Sequence, residues 1–156
     1  NASGDKRIYC KVLFKDLAIG VLALDEDLNT YLVGQYRFTL NEYSWEIPEG
    51  GGALDTEPLN SAKRELLEET GLVAKEWTPI LRMYLSNSVS DEHSITYLAR
   101  DLEQQAPMPE ETEQLAIKKI PFDEAWHMTE KGIITDAMSV AAIQKVKWML
   151  TTGIIS

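Results

Sequence analysis

The sequence predicts an α/β fold of the α+β kind, with helices packed on a mixed β-sheet, and three observations lead there. Runs of β-branched and aromatic residues fill residues 7 to 39; one amphipathic segment bounded by Pro58 and Gly71 interrupts the strand-like pattern; and the chain closes on two more helical segments after a last strand. At 156 residues with 44% hydrophobic content, the chain is long enough for one domain with its own core.

In chain order, "RIYCKVLF", "LAIGVLAL" and "TYLVGQYRF" read as strands of an antiparallel meander, separated by the turn-prone "KD" and "DEDLN". "SWEIPEGGG" continues as an extended segment that a proline and three glycines bring to a stop. A helix is expected over residues 58 to 70, because Pro58 suits a first turn, Asp55 or Thr56 can serve as N-cap, and Gly71 suits the C-terminal stop. "WTPILRMYLS" and "SITYLARDL" follow as strands, then the polar "EQQAPMPEETEQ" and a strand near "LAIKKI". One helix starts after Pro121, and another runs from about Asp136 to Leu150 with an apolar face of Met138, Ala141, Ala142, Val146 and Met149. Residues 1–6 read as a tag remnant or disordered start, residues 7–150 as a single domain and residues 151–156 as a C-terminal tail; no repeat, linker or low-complexity tract divides them.

A formal charge of −10 and a pI near 4.6 argue against nucleic acid as a partner, since phosphate contacts need clustered Lys and Arg. An acidic protein that handles phosphates needs metal ions as intermediaries. No apolar run reaches the ~20 residues of a membrane span, and the single cysteine, Cys10, excludes an intramolecular disulfide, which fits a reducing, cytoplasmic setting. Cys10 is expected in core packing, and His93 and His127 are too few and too far apart for a metal cluster.

The strongest local anomaly is "KRELLEETG". Leu59, Ala62 and Leu66 fall on one helical face, while Glu65, Glu68 and Glu69 crowd another. Each like-charge pair at this spacing costs a helix roughly 0.2–0.5 kcal/mol, and carboxylates near a C-terminus oppose the macrodipole. Two readings compete. One is a solvated face on which Arg64 pairs with Glu68; the other is a site for a hard divalent cation beside a glycine-rich loop that lets backbone approach a ligand.

The longer stretch "GGGALDTEPLNSAKRELLEETGL" resembles the signature of the Nudix hydrolases, Gly-x5-Glu-x7-Arg-Glu-apolar-x-Glu-Glu-x-Gly-apolar. Counted from Gly50, the terminal block is met by Arg64, Glu65, Leu66, Glu68, Glu69, Gly71 and Leu72, whereas the first glutamate slot holds Thr56, with Glu57 one place later. The resemblance implies a mixed sheet sandwiched between helices (an α/β/α sandwich) and hydrolysis of a nucleoside diphosphate linked to another moiety. It further implies Glu65, Glu68 and Glu69 as ligands of Mg²⁺ or Mn²⁺, with Glu69 catalytic, the Glu49 carbonyl completing a metal shell and Arg64 orienting the carboxylates.

Outside that box the chain is similar to the ADP-ribose and nucleoside-diphosphate-sugar pyrophosphatase branch over roughly residues 7 to 150, through "QYRF", "WEIPEGG", "SVSDE", "EETEQL" and "GIITDAMSVAAI". The likeness implies a general base on the loop before the late strand, where Glu110, Glu111 and Glu113 stand; position in "EETE" selects Glu111, with Glu113 on the substrate side. Arg37 is the candidate for a phosphate and Glu46 for a sugar or base edge, against the alternative of a strand-edge salt bridge, and Trp45 for stacking on a nucleobase. Ser86-Asn87-Ser88 stands where many ADP-ribose hydrolases carry a proline, which widens the expected substrate to nucleoside diphosphate sugars at large. Alternatives are a Nudix-fold sensor that binds such a ligand without cleaving it, and an RNA-end or dinucleoside polyphosphate hydrolase. The resemblance also puts a homodimer among the expectations.

Overall fold

β1 (Asp16–Ala23) is buried from Ile19 to Ala23, as an unbroken apolar run requires of a strand covered on both faces. In the computed structural model, which describes residues 8–105 and 116–156, it lies inside a four-stranded sheet. Its neighbours are β4 (Glu49–Ala53), which is antiparallel to it, and β6 (His93–Gln104), which is parallel; β5 (Leu72–Tyr84) closes the order β4-β1-β6-β5. A second sheet has β2 (Asn29–Arg37) between β3 (Glu42–Glu46) and β7 (Ala116–Pro121), all antiparallel. The sheet system is therefore mixed, as predicted.

The expected meander is corrected. β1 and β2 follow each other in the chain but belong to different sheets, linked by an isolated bridge between Leu24 and Thr30 and by the Thr30 hydroxyl, which donates to the Ala23 carbonyl at 2.9 Å. Each carries its own buried apolar run, and β1 is flanked by β4 and β6 while β2 is flanked by its hairpin partner β3 and by the distant β7. "RIYCKVLF" is not a strand over its described residues 8–14, where Ile8 is 94% and Leu13 70% exposed. It makes one bridge, Val12 to Ser90, so β-propensity has no sheet face to act on. Cys10 is accordingly exposed, not core.

The segment "SWEIPEGGG" also departs from expectation, since the glycines do not end it. Ile47 and Pro48 mark the change of sheet, and Glu49 to Ala53 then pair with β1. Glycine is needed there because a helix lies close above: a methyl at Gly52 would sit 2.9 Å from Ile19 and 3.0 Å from Ser61.

That helix is α1 (Pro58–Thr70), with the bounds the sequence predicts, and Gly71 terminates it at φ 71° with its N–H donating to the Leu67 carbonyl. Its N-cap is Glu57, with no side-chain capping bond, in place of Asp55 or Thr56. α2 (Phe122–Glu130) begins right after β7, and α3 (Ala137–Thr151) is capped by Asp136, whose carboxylate accepts from the Ser139 N–H at 2.8 Å.

Alternation along β1 assigns the two faces. Ile19, Val21 and Ala23 pack with Ala62 and Leu66 of α1, whereas Leu22 and Leu24 join Phe122, Ala125, Ile143 and Val146 of α2 and α3. Helices thus cover both sides of the sheet. On α3, Ile143 takes the place expected for Ala141 in the fully buried stripe, together with Ser139.

Candidate functional site

The last turns of α1 lie over β4, and the physics of the site follows from that contact. Glu65 is only 7% exposed, because its carboxylate fills the space above Gly50 that a Cβ would occupy. Of the two readings, the solvated face therefore does not extend to Glu65. Burial raises the Glu65 pKa and the Arg64 guanidinium, bonded to it, opposes the rise. Arg64 also bonds Glu68 at 2.6 Å and the Gly51 carbonyl at 2.9 Å, so it ties two carboxylates of one helix to the neighbouring strand. Glu68 remains exposed.

Glu69 turns the other way. The Glu49 N–H donates to its Oε2 at 3.0 Å, and burial pushes its pKa up to about 7, with Glu65 and Glu46 repelling and the Glu49 N–H and Arg37 offsetting in part. The Glu49 side chain points into the fold. Ser139 donates to its Oε1 at 3.0 Å, and burial beside Asp136 raises its pKa well above the usual carboxylate range, which favours a neutral carboxyl there. Next to it, Glu46 is 3% exposed and held by Arg37, whose Nε donates at 2.9 Å and whose Nη2 bonds the second oxygen, while Gln35 donates at 3.3 Å. A buried carboxylate with three donors is well compensated. The strand-edge ion pair named as the alternative role of Arg37 and Glu46 is therefore formed.

Two open clefts meet at this point. One, of about 340 Å³, is lined by Ala18, Arg37, Glu49, Gly50, Leu85, Glu92, Asp136 and Met138; the other, of about 270 Å³, lies between Arg37, Leu40, Ser44, Glu46, Thr135 and Asp136. Arg37 and Asp136 border both. Trp45 lines neither: its ring meets Tyr43 edge-on at 5.4 Å and Lys118 Nζ stands 4.0 Å over it. Glu111 and Glu113 lie outside the described residues. His93 and His127 sit against the rings of Tyr84 and Trp126.

The residues fit a hard divalent cation by donor chemistry. Glu65 and Glu69 flank the Glu49–Gly50 backbone; Glu46 is paired with Arg37, and Glu65 and Glu68 with Arg64. Among the described residues no three such groups are already gathered around one point, because Arg64 holds Glu65 and Glu68 while Glu69 is turned to the Glu49 N–H. Sequence reasoning missed Asp136 and Glu92 as cleft residues, and Ser139 as the partner of Glu49. The sequence predicts a helix start near Asp136, but where that helix end points is not a local property.

A match to the NUDIX domain covers residues 15–139. The chain is 32% identical over 140 residues to an ADP-ribose pyrophosphatase of Mycobacterium tuberculosis, covering 87% of this chain and 67% of that protein. It is 33% identical over 129 residues to an ADP-ribose pyrophosphatase of Bacillus subtilis, covering 81% and 70%. A crystal structure described as an ADP compounds hydrolase superimposes with a TM-score of 0.83 at 21% identity, over 99% of this chain and 84% of that one, which shows a shared fold.

Proposed function

The chain belongs to the Nudix hydrolase family, and on that footing we propose that it hydrolyses the diphosphate bond of ADP-ribose and related nucleoside diphosphate sugars, releasing a nucleoside monophosphate and a sugar phosphate. The observation that carries this reading is the meeting of the α1 carboxylates with the larger Arg37-bordered cleft at one strand, β4. The names of the relatives support ADP-ribose as the first substrate to test.

Glu65, Glu68 and Glu69, with the Glu49 carbonyl, would hold Mg²⁺ or Mn²⁺, which when bound neutralises the diphosphate and activates water. Arg64 keeps Glu65 and Glu68 oriented through its three bonds. Arg37 offers a guanidinium face to a phosphate, held in place by Glu46. Glu69, with its pKa near 7, is poised to exchange its proton for a cation around neutral pH. By sequence position we assign Glu111 as the general base and Glu113 to the substrate side; E111Q with unchanged turnover would remove that assignment.

The exposed Ile8, Tyr9, Leu13, Phe38 and Tyr84 support a homodimer, to be read by sedimentation. No described helix is long and apolar enough to cross a membrane, and the lone unpaired Cys10 supports a cytoplasmic setting. The direct test is Mg²⁺-dependent hydrolysis of ADP-ribose, ADP-glucose, GDP-mannose, UDP-glucose, NADH and dinucleoside polyphosphates, followed by chromatography of the nucleoside monophosphate. Turnover of a diphosphate sugar that stops on chelation is the expected result. Saturable binding without turnover of any of them would overturn the catalytic reading in favour of a sensor.

A further inference from the structure

We propose that Ser139 is a positioning residue for the diphosphate hydrolysis: its hydroxyl clips α3 to the corner between β3 and β4 and so sets the backbone against which Glu69 is held. The proposal rests on the reading of the site given above, and it concerns a residue that neither contacts the cleft openings nor belongs to the Nudix box.

Ser139 has no exposed surface, and a buried hydroxyl is retained only where its hydrogen bonds are made. Its own backbone is fixed first, since its N–H donates to Asp136 Oδ2 at 2.8 Å in the cap of α3. From that fixed point its Oγ accepts from the Ile47 N–H at 3.0 Å and donates to Glu49 Oε1 at 3.0 Å. The Glu49 N–H in turn donates to Glu69 Oε2 at 3.0 Å. One hydroxyl therefore joins residues separated by about ninety positions, at the point where the chain passes from one sheet to the other.

The need for a hydroxyl is specific. The corner presents one backbone donor and one carboxyl acceptor to the same spot, and among small side chains the hydroxyl of Ser or Thr is the strong group that accepts and donates at a single atom. The clipped segment, residues 46 to 50, carries Glu46, which fixes Arg37, as well as Glu49 and Gly50, on which Glu69 and Glu65 rest. A shift of this corner would move the phosphate-side guanidinium and the carboxylate side together. Plain helix-to-sheet packing would not need the hydroxyl, because Ala142, Ile143 and Val146 supply the apolar contact on the same helix.

The test compares the parent with S139A, and S139T with S139V, a pair of nearly equal shape that differs in the hydroxyl. Amide hydrogen exchange at Ile47 and Glu49 is read in metal-free protein, Mn²⁺ affinity by direct titration without substrate, and kcat and KM for ADP-ribose at saturating metal. The expected result is faster exchange at both amides in S139A, Mn²⁺ binding weakened by about 10–100-fold, lowered kcat, and S139T closer to the parent than S139V in all three. Should S139A fail to fold, the S139T and S139V comparison decides by the same readouts. Hydroxyl-free variants with parental Mn²⁺ affinity and kcat, whatever their melting temperature, overturn the proposal. A parent that binds no Mn²⁺ and cleaves no diphosphate sugar overturns the underlying reading and this one with it, and is distinct from failure of the clip alone.

Discussion

α1 and α3 have similar lengths, 13 and 15 residues, and cover opposite sides of the same strand, β1, yet they follow local rules to different degrees. α3 has a side-chain N-cap and buries Met138, Ala142, Ile143, Val146 and Met149. α1 has no side-chain cap, places Glu68 and Glu69 in its last turn against the macrodipole, and buries Glu65. Both carboxylates that α1 turns toward β4 have raised pKa values because burial disfavours their charge. The contrast teaches where this fold concentrates its unfavourable terms: on the helix assigned to chemistry, with the well-formed helix on the far face supplying the stability that tolerates them.

The largest expected effect separates the helices by activity. E69Q should lower turnover by orders of magnitude with the fold intact, and near-parental kcat would remove Glu69 from the site. G50A acts on the same helix from the strand, since its methyl would land on the Glu65 carboxylate; a displaced carboxylate should cost roughly 10²-fold in kcat/KM, and parental kinetics would show that Glu65 needs no such seat. On α3 the opposite pattern is expected. I143A should lose about 2–5 kcal/mol of stability in urea denaturation while folded protein keeps its turnover, because Ile143 is fully buried in the α3-side core.

A pH series sharpens the comparison further. Glu69 has a folded pKa of about 7 against an ordinary value of 4.5, so the folded state holds its proton more tightly than the unfolded one. Its contribution to stability therefore falls as pH rises through that window and stays low above it. E69Q should melt higher than the parent above pH 7 in the presence of chelator and match it below about pH 4.5, and equal melting temperatures at pH 8 would contradict the burial argument. Mn²⁺ affinity of the parent should rise with pH through the same window. The smallest effect belongs to the surface of the α2–α3 layer: D123N removes an ion pair to Lys147 at 2.8 Å whose carboxylate is 70% exposed, and should change stability by less than about 1 kcal/mol.

Much of this was legible locally. The bounds of α1 follow from Pro58 and Gly71, which act on backbone groups within a turn, and the start of α3 near Asp136 is expected as well. Strand character was equally visible in β1, β2, β5 and β6. What failed were statements about neighbours. The β1–β2 meander, the core placement of Cys10 and the stop at the three glycines each assumed a partner that periodicity does not specify.

The same division runs through the site. By itself the sequence determined that three glutamates crowd one stretch of α1 beside glycines, because spacing of 100° per residue and a named motif need no tertiary information. Only the tertiary structure decided that Glu65 is buried under Gly50, that Glu69 meets the Glu49 N–H, that Arg37 is committed to Glu46, and that Asp136 and Ser139 reach the same corner from α3. The reason is physical: burial and hydrogen-bond partners are set by chains that pack from tens of residues away, and they alone fix which carboxylates keep their charge.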